Sequence, residues 1–156
     1  MKIRIGKKEI IHFIGIGGIG MSGLAQIMQF MNFKIQGSDL HKNKNTENCQ
    51  KLGIKVFFSH NSKNISNATI IVKSSAIKKN NPEIIAAKKK NIPIYDRAEM
   101  LANIVSLKKN IVISGSHGKT TTTSLIAQIL SSAKLDPTII NGGVINSIKN
   151  TAKLGK

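Results

Sequence analysis

The sequence predicts an α/β protein: a doubly wound parallel sheet, followed by the opening strand–turn–helix unit of a second α/β domain. Two observations carry this prediction. Short apolar runs alternate along the chain with segments of helical period, as parallel β-α-β units require. In addition, the apolar runs Ile10-Ile-His-Phe-Ile14 and Ile111-Val-Ile-Ser114 each feed a glycine turn that opens a helix.

The elements follow in order. Residues 10–14 are short and apolar and run into glycines, as a buried parallel strand should. Met21 to Met31 sets Leu24, Ile27, Met28 and Met31 at helical spacing, and Lys34 to Gly37 is the next strand, ending at Ser38-Asp39. Asn43 to Leu52 is a polar helix closed by Gly53, a residue suited to the position after a helix. Lys55 to Phe58 is strand-like, and Ala68 to Lys73 is a firmer strand rich in β-branched residues. Asn81-Pro82 is an N-cap followed by proline at the first helical position, which starts a helix running to about Lys90. Ile92 to Tyr95 is a strand, and Arg97 to Leu107 carries Met100, Leu101, Ile104 and Val105 on one helical face. At Lys108-Lys109-Asn110 the pattern restarts, with a strand at 111–114, a helix from Lys119 to about Ala133, and a strand near Thr138 to Asn141. The expected division is therefore residues 1–108 and 109–156. The second part is too short to close a sheet and should leave strand edges and an apolar helix face uncovered.

Composition sets bounds on partners. Of 156 residues, 40% are hydrophobic and 4% aromatic, so the core rests on Ile, Leu, Val and Met. The formal charge of +17 comes from Lys, with Arg4 and Arg97 the only arginines. Arginine is the preferred residue for reading bases and forking onto phosphates, so this charge does not argue for a nucleic-acid partner. Lys88-Lys89-Lys90 suits a helix C-terminus. The lone Cys49 cannot form an internal disulfide, which fits a reducing, cytoplasmic setting. Lys2, Arg4, Lys7 and Lys8 before Ile10 to Ala25 imitate a leader, but the glycines of that stretch spell a strand and a turn. No apolar run reaches membrane-spanning length, so no membrane partner is expected.

Gly15-x-Gly17-x-x-Gly20 follows a strand, opens a helix and has Asp39 about twenty residues on, the arrangement of a Rossmann-like dinucleotide fingerprint. It implies a diphosphate and leaves open NAD, FAD or a UDP-sugar. Asp39 either holds a ribose hydroxyl or caps a helix.

The second turn, Gly115-Ser116-His117-Gly118-Lys119-Thr120-Thr121, is a shortened P-loop: the usual form has four residues between the first glycine and Gly-Lys, and here Ser116 and His117 alone intervene. Backbone N–H groups of 115–119 would surround phosphates, Lys119 would neutralise their outer oxygens, and the Thr120 hydroxyl would ligate Mg²⁺. Lys119 and His117 are the catalytic candidates, and His117 either contacts phosphate or substrate or fills the turn. His12 lies in an apolar strand and reads as a satisfied core residue. His60, in a polar loop after a strand, is either a ligand contact or a solvated side chain. No Cys/His spacing supports a metal site, and Asp136 is the only acid after Thr120.

Together these segments resemble the Mur ligase family. The similarity rests on residues 11–25 (IHFIGIGGIGMSGLA), Gly37-Ser-Asp39, Ser74-Ser-Ala-Ile77, Asn81-Pro-Glu83, Arg97-Ala-Glu-Met-Leu101 and residues 115–123 (GSHGKTTTT), in this order and spacing. Two positions depart from the family pattern: Ser116 stands where Thr is common, and Ser59 precedes His60 where Gly is usual. The resemblance implies the N-terminal part of a three-domain cytoplasmic enzyme of peptidoglycan synthesis. Its Gly-Gly-x-Gly-Met-Ser turn points to the member that joins L-alanine to UDP-N-acetylmuramate, with ATP and Mg²⁺. The implied UDP-substrate residues are Gly15, Gly17, Gly18, Gly20, Met21, Ser22, Ser38, Asp39, Ser74 and Ser75. The implied ATP residues are 115–121. The Mg²⁺-binding acid and the alanine-side domain would lie beyond Lys156. Two other readings compete: a module that binds UDP-muramic acid without chemistry, and an NAD-dependent oxidoreductase, which leaves the Gly-Lys-Thr turn unexplained. Oligomeric state is not legible.

Overall fold

The computed structural model describes residues 5–6, 8–145 and 150–155. Lys2, Arg4 and Lys7 of the basic N-terminal stretch lie outside them. Five parallel strands form the main sheet: β1 (Ile10–Ile14), β2 (Lys34–Ser38), β3 (Lys55–Phe57), β4 (Ile70–Lys73) and β5 (Ile94–Asp96), in the order β3-β2-β1-β4-β5. Four helices connect or follow them: α1 (Ile19–Phe30), α2 (Lys44–Lys51), α3 (Pro82–Lys89) and α4 (Arg97–Val105). A short 3₁₀ turn, Ser62–Ile65, precedes β4.

The period of two along β1 divides the core. Ile11 and Phe13 point to one face, where they join Leu24, Ile27 and Met28 of α1, Cys49 of α2 and Met100 of α4. Ile14 points to the other face, with Ile71, Ile65, Ile84 and Ala87 beneath α3. His12 shares the parity of Ile14 and so points toward α3. Strands β2 and β4 lie on opposite sides of β1, pairing Phe13 with Gly37 and Ile14 with Lys73. The carboxyl ends of β1 and β4 therefore flank a topological switch point, where open α/β sheets bind ligands.

Helix boundaries follow local chemistry. Asn43 caps α2 by accepting from the N–H groups of Asn45 and Thr46, and Gly53 after it has φ +78. Asn81 caps α3 by accepting from the N–H of Glu83, with Pro82 in the first turn as expected. Asp39 does not cap α2, because Asn43 holds that place.

Beyond residue 108 the sequence reading needs correction. Residues 111–114, expected as a strand, form none. A parallel strand exists only as a ladder partner, and no described strand pairs with this segment; Ile111 and Val112 are 63% and 74% exposed. Helix α5 (Lys119–Ser132) forms as expected, with Leu125 and Ile129 exposed on an uncovered apolar face. The strand expected near 138–141 is β6 (Ile139–Ile145). It pairs antiparallel with β7 (Asn150–Lys153), an unforeseen hairpin whose residues 146–149 lie outside the described residues. This hairpin packs on α1, where Ala152 is buried and Ile140 and Leu154 cover the first core.

Candidate functional site

The first glycine turn is laced to the end of β2. The N–H groups of Gly15 and Ile16 both donate to the Ser38 carbonyl, at 2.8 and 3.0 Å. Gly15 has φ +82, a conformation that L side chains avoid. The Gly17 N–H donates to Asp39 Oδ2 at 2.8 Å, and Asn45 Nδ2 donates to the Gly17 carbonyl at 2.9 Å. A Cβ on Gly17 would lie 2.8 Å from both Asp39 Oδ2 and Asn43 Nδ2, so the turn is packed from behind as well as bent. Ser74 stands across the switch point, its Cβ 3.3 Å from where a Gly15 Cβ would be. Ser75 is exposed beside it. Met21 and Ser22 are buried, and the Ser22 hydroxyl donates to the Ile19 carbonyl, so their side chains serve the helix start.

The helix N-termini differ in a way that separates site from scaffold. Helices α2 and α3 are capped by Asn side chains, and at α4 the Asp96 N–H donates to Glu99 Oε2 at 2.8 Å. By contrast α1 and α5 begin at Gly18 and Gly118, with no side-chain cap and no acidic residue in the first turn. Their first-turn N–H groups and positive dipole ends are left for an anion. Gly18 is exposed. Arg97, which sequence reasoning did not nominate, lies against this turn: its Nη1 is 3.2 Å from where a Gly20 Cβ would sit. It is the one described arginine, brought beside the α1 N-terminus by α4.

In the second turn Gly118 adopts φ +77 with open space around it, and all of residues 115–121 are exposed. Lys119 Nζ donates to the carbonyls of Gly115 and Ser116, the latter at 2.9 Å, which folds the ammonium back over the loop. The threonine-rich helix start is accommodated because Thr123 and Ser124 hydroxyls donate to the carbonyls of Lys119 and Thr120. His117 and Thr120 are solvent-facing. Asp136, the one acid after Thr120, is paired with Lys153 at 2.8 Å, away from the turn. Among the described residues no group of three or more His, Cys, Asp or Glu could hold a metal ion.

A third constellation was not legible in the sequence. Glu83, on the first turn of α3, is fully buried. Its Oε2 accepts from Ser38 Oγ at 2.7 Å and lies 3.0 Å from His60 Nδ1; its Oε1 accepts from Asn64 Nδ2 at 2.7 Å. His12 Nε2 faces the same Oε1 at 3.4 Å, an electrostatic contact rather than a formed hydrogen bond. Burial pushes the Glu83 carboxyl up, but the His12 imidazole, the Ser38 hydroxyl and the Asn64 amide outweigh it and hold the carboxyl below its ordinary value. His12 is thus buried as expected, yet its Nε2 has no hydrogen-bond partner.

A parallel sheet with a glycine turn at its switch point, followed by a Gly-Lys-Thr turn that opens a helix, defines a doubly wound α/β class. Residues 10–109 match the Mur ligase family, catalytic domain, and the chain belongs to that family. It is 69% identical over its whole length to the UDP-N-acetylmuramate–L-alanine ligase of Pelagibacter ubique, and 54% identical over 94% of its length to that of Rickettsia bellii. The chain spans about a third of these relatives, 34% and 31% of their lengths. The solved UDP-N-acetylmuramate–alanine ligase of Thermotoga maritima superposes on 93% of the chain with TM-score 0.87 at 32% identity, using 34% of its own length. A UDP-N-acetylmuramate:L-alanyl-γ-D-glutamyl-meso-diaminopimelate ligase of Neisseria meningitidis superposes on 95% of the chain, TM-score 0.87, at 29% identity and 47% of its own length.

Proposed function

We propose that this chain is the N-terminal part of a cytoplasmic, ATP-dependent ligase that adds L-alanine to UDP-N-acetylmuramate for peptidoglycan synthesis. The observation that carries the reading is the contrast in helix starts: of the described α-helices, only the two that follow glycine turns are left uncapped. Residues 1–108 would hold the UDP-sugar. Its diphosphate would meet the α1 N-terminus at Gly18 to Gly20, with Gly15, Gly17, Ser38 and Asp39 shaping the turn, Ser74 and Ser75 facing the switch point, and Arg97 adding charge.

Residues 109–156 would open the ATP-binding unit. The turn fits a triphosphate: it is open, its amides are unpaired by any cap, and Lys119 stands over it. ATP, when bound, supplies the phosphoryl group that turns the muramyl carboxylate into an acyl phosphate for attack by the amine of L-alanine. Lys119 would leave the Gly115 and Ser116 carbonyls to bind the outer phosphate oxygens, where positive charge stabilises charge developing in transfer. Thr120 supplies a hydroxyl for Mg²⁺, and His117 would contact phosphate or substrate.

Calorimetry on the 156-residue chain tests both sites separately. UDP-N-acetylmuramate binding should be lost in Gly17→Val and kept in Lys119→Ala, and binding of a non-hydrolysable ATP analogue should show the opposite pattern. Absence of binding of either ligand to the unaltered chain sinks the reading.

A further inference from the structure

Two backbone carbonyls fix the Asn64 and Gln36 amide orientations and the His12 tautomer in the cluster around Glu83. Carbonyls only accept, so Asn64 Nδ2, 2.7 Å from the Ser59 carbonyl, must be the amide nitrogen; it then donates to Glu83 Oε1. Likewise Gln36 Nε2, 2.9 Å from the Asn64 carbonyl, is a donor, so His12 Nδ1 at 3.2 Å must accept from it. His12 therefore carries its proton on Nε2, toward Glu83. The Ser38 hydroxyl has one proton, and the 2.7 Å contact to Glu83 takes it rather than the 3.2 Å contact to His60 Nδ1. His60 Nδ1, 3.0 Å from the same carboxylate oxygen, must then be protonated itself. Taken as neutral rings, the two histidines hold opposite tautomers around one carboxylate, and the remaining nitrogen of His60, Nε2, is then its acceptor.

His60 is part of the ligand edge, since it follows β3 and contacts Ser38, whose carbonyl holds the Gly15 and Ile16 amides. Its side chain keeps 14% exposure, in contrast to the fully buried Glu83 and His12. We propose that Glu83 is a positioning residue that locks His60 with Nε2 as an acceptor, so that His60 reads the base of the nucleotide by accepting a hydrogen bond from the N3–H of uracil. Cytosine offers a lone pair at the same ring position, so the locked nitrogen repels it. This inference rests on the UDP reading above.

Nitrogen-15 NMR of the imidazoles in the 156-residue chain tests the tautomer without any ligand: His60 should be protonated on Nδ1 and His12 on Nε2. Calorimetry with UDP and CDP tests the recognition. The unaltered chain should favour UDP on the order of tenfold to a hundredfold, the worth of one satisfied hydrogen bond against two opposed lone pairs. His60→Ala, at a partly exposed position, should erase the preference while keeping the fold, and Glu83→Gln should give a mixed His60 tautomer and a reduced preference. A His60 proton on Nε2, or an undiminished UDP preference in His60→Ala, overturns the inference. UDP binding without preference in the unaltered chain overturns it alone; no UDP binding at all overturns the substrate reading as well.

Discussion

The Ser38 hydroxyl and the Glu83 carboxylate, 45 residues apart in sequence, lie 2.7 Å from each other with no solvent between them. This contact ties the carboxyl end of β2 to the start of α3, and through the Ser38 carbonyl it reaches the glycine turn at 15–16. The buried carboxylate is thus a structural pin under the ligand edge.

Acid should loosen that pin. The folded-state pKa of Glu83 is depressed below the ordinary 4.5, so the carboxylate stabilises the fold fully above that value. The contribution is lost as pH falls through the depressed folded value. Urea unfolding across this range should show a steep acid loss of stability, and Glu83→Gln should be less stable at neutral pH with a flatter acid limb. An unchanged acid limb would mean that other carboxylates set it.

Gly37 is required by packing. A Cβ there would sit 2.7 Å from the Phe13 carbonyl oxygen and 2.7 Å from Ile16 Cδ1, and the backbone atom cannot yield. Gly37→Ala should therefore destabilise by about 1–3 kcal/mol, the usual range for overpacking. The urea midpoint should fall with little change in slope.

Cys49 should report global unfolding. It is fully buried against α1, and burial pushes its thiol pKa up to about 12, so little thiolate forms in the native state. Modification by a soluble disulfide reagent should follow the unfolding equilibrium, with its rate rising in proportion to the urea-induced unfolded fraction. Rapid labelling under native conditions would contradict the packing of α2 on α1.

Arg97 should matter for affinity and not for stability, since it is exposed at the start of α4. If the guanidinium beside Gly20 meets a phosphate, Arg97→Ala should weaken UDP binding by roughly tenfold, the value of one charge-assisted hydrogen bond. The salt dependence of binding should also fall. Equal affinity in the variant would place the diphosphate elsewhere.

The elements whose signals are local were legible from sequence alone. Apolar runs marked all five strands of the main sheet, Asn81-Pro82 marked the α3 start, and glycine spacing marked the two turns that open α1 and α5. Each depends on residues within a turn or two of one another, so backbone sterics and periodicity suffice.

Tertiary structure decided the rest. Glu83, His60, His12 and Ser38 look like unrelated polar residues in the sequence, and become one cluster because the parallel order β3-β2-β1-β4 stacks their strand ends beneath α3. Arg97 reached the glycine turn the same way. Residues 111–114 failed as a strand for the converse reason: apolar β-branched residues supply propensity, but a strand also needs a neighbour to accept and donate its ladder hydrogen bonds. Propensity is a property of the segment and is written in its residues. Pairing, burial and the meeting of distant charges are properties of the whole chain, fixed only when the sheet order places one segment beside another.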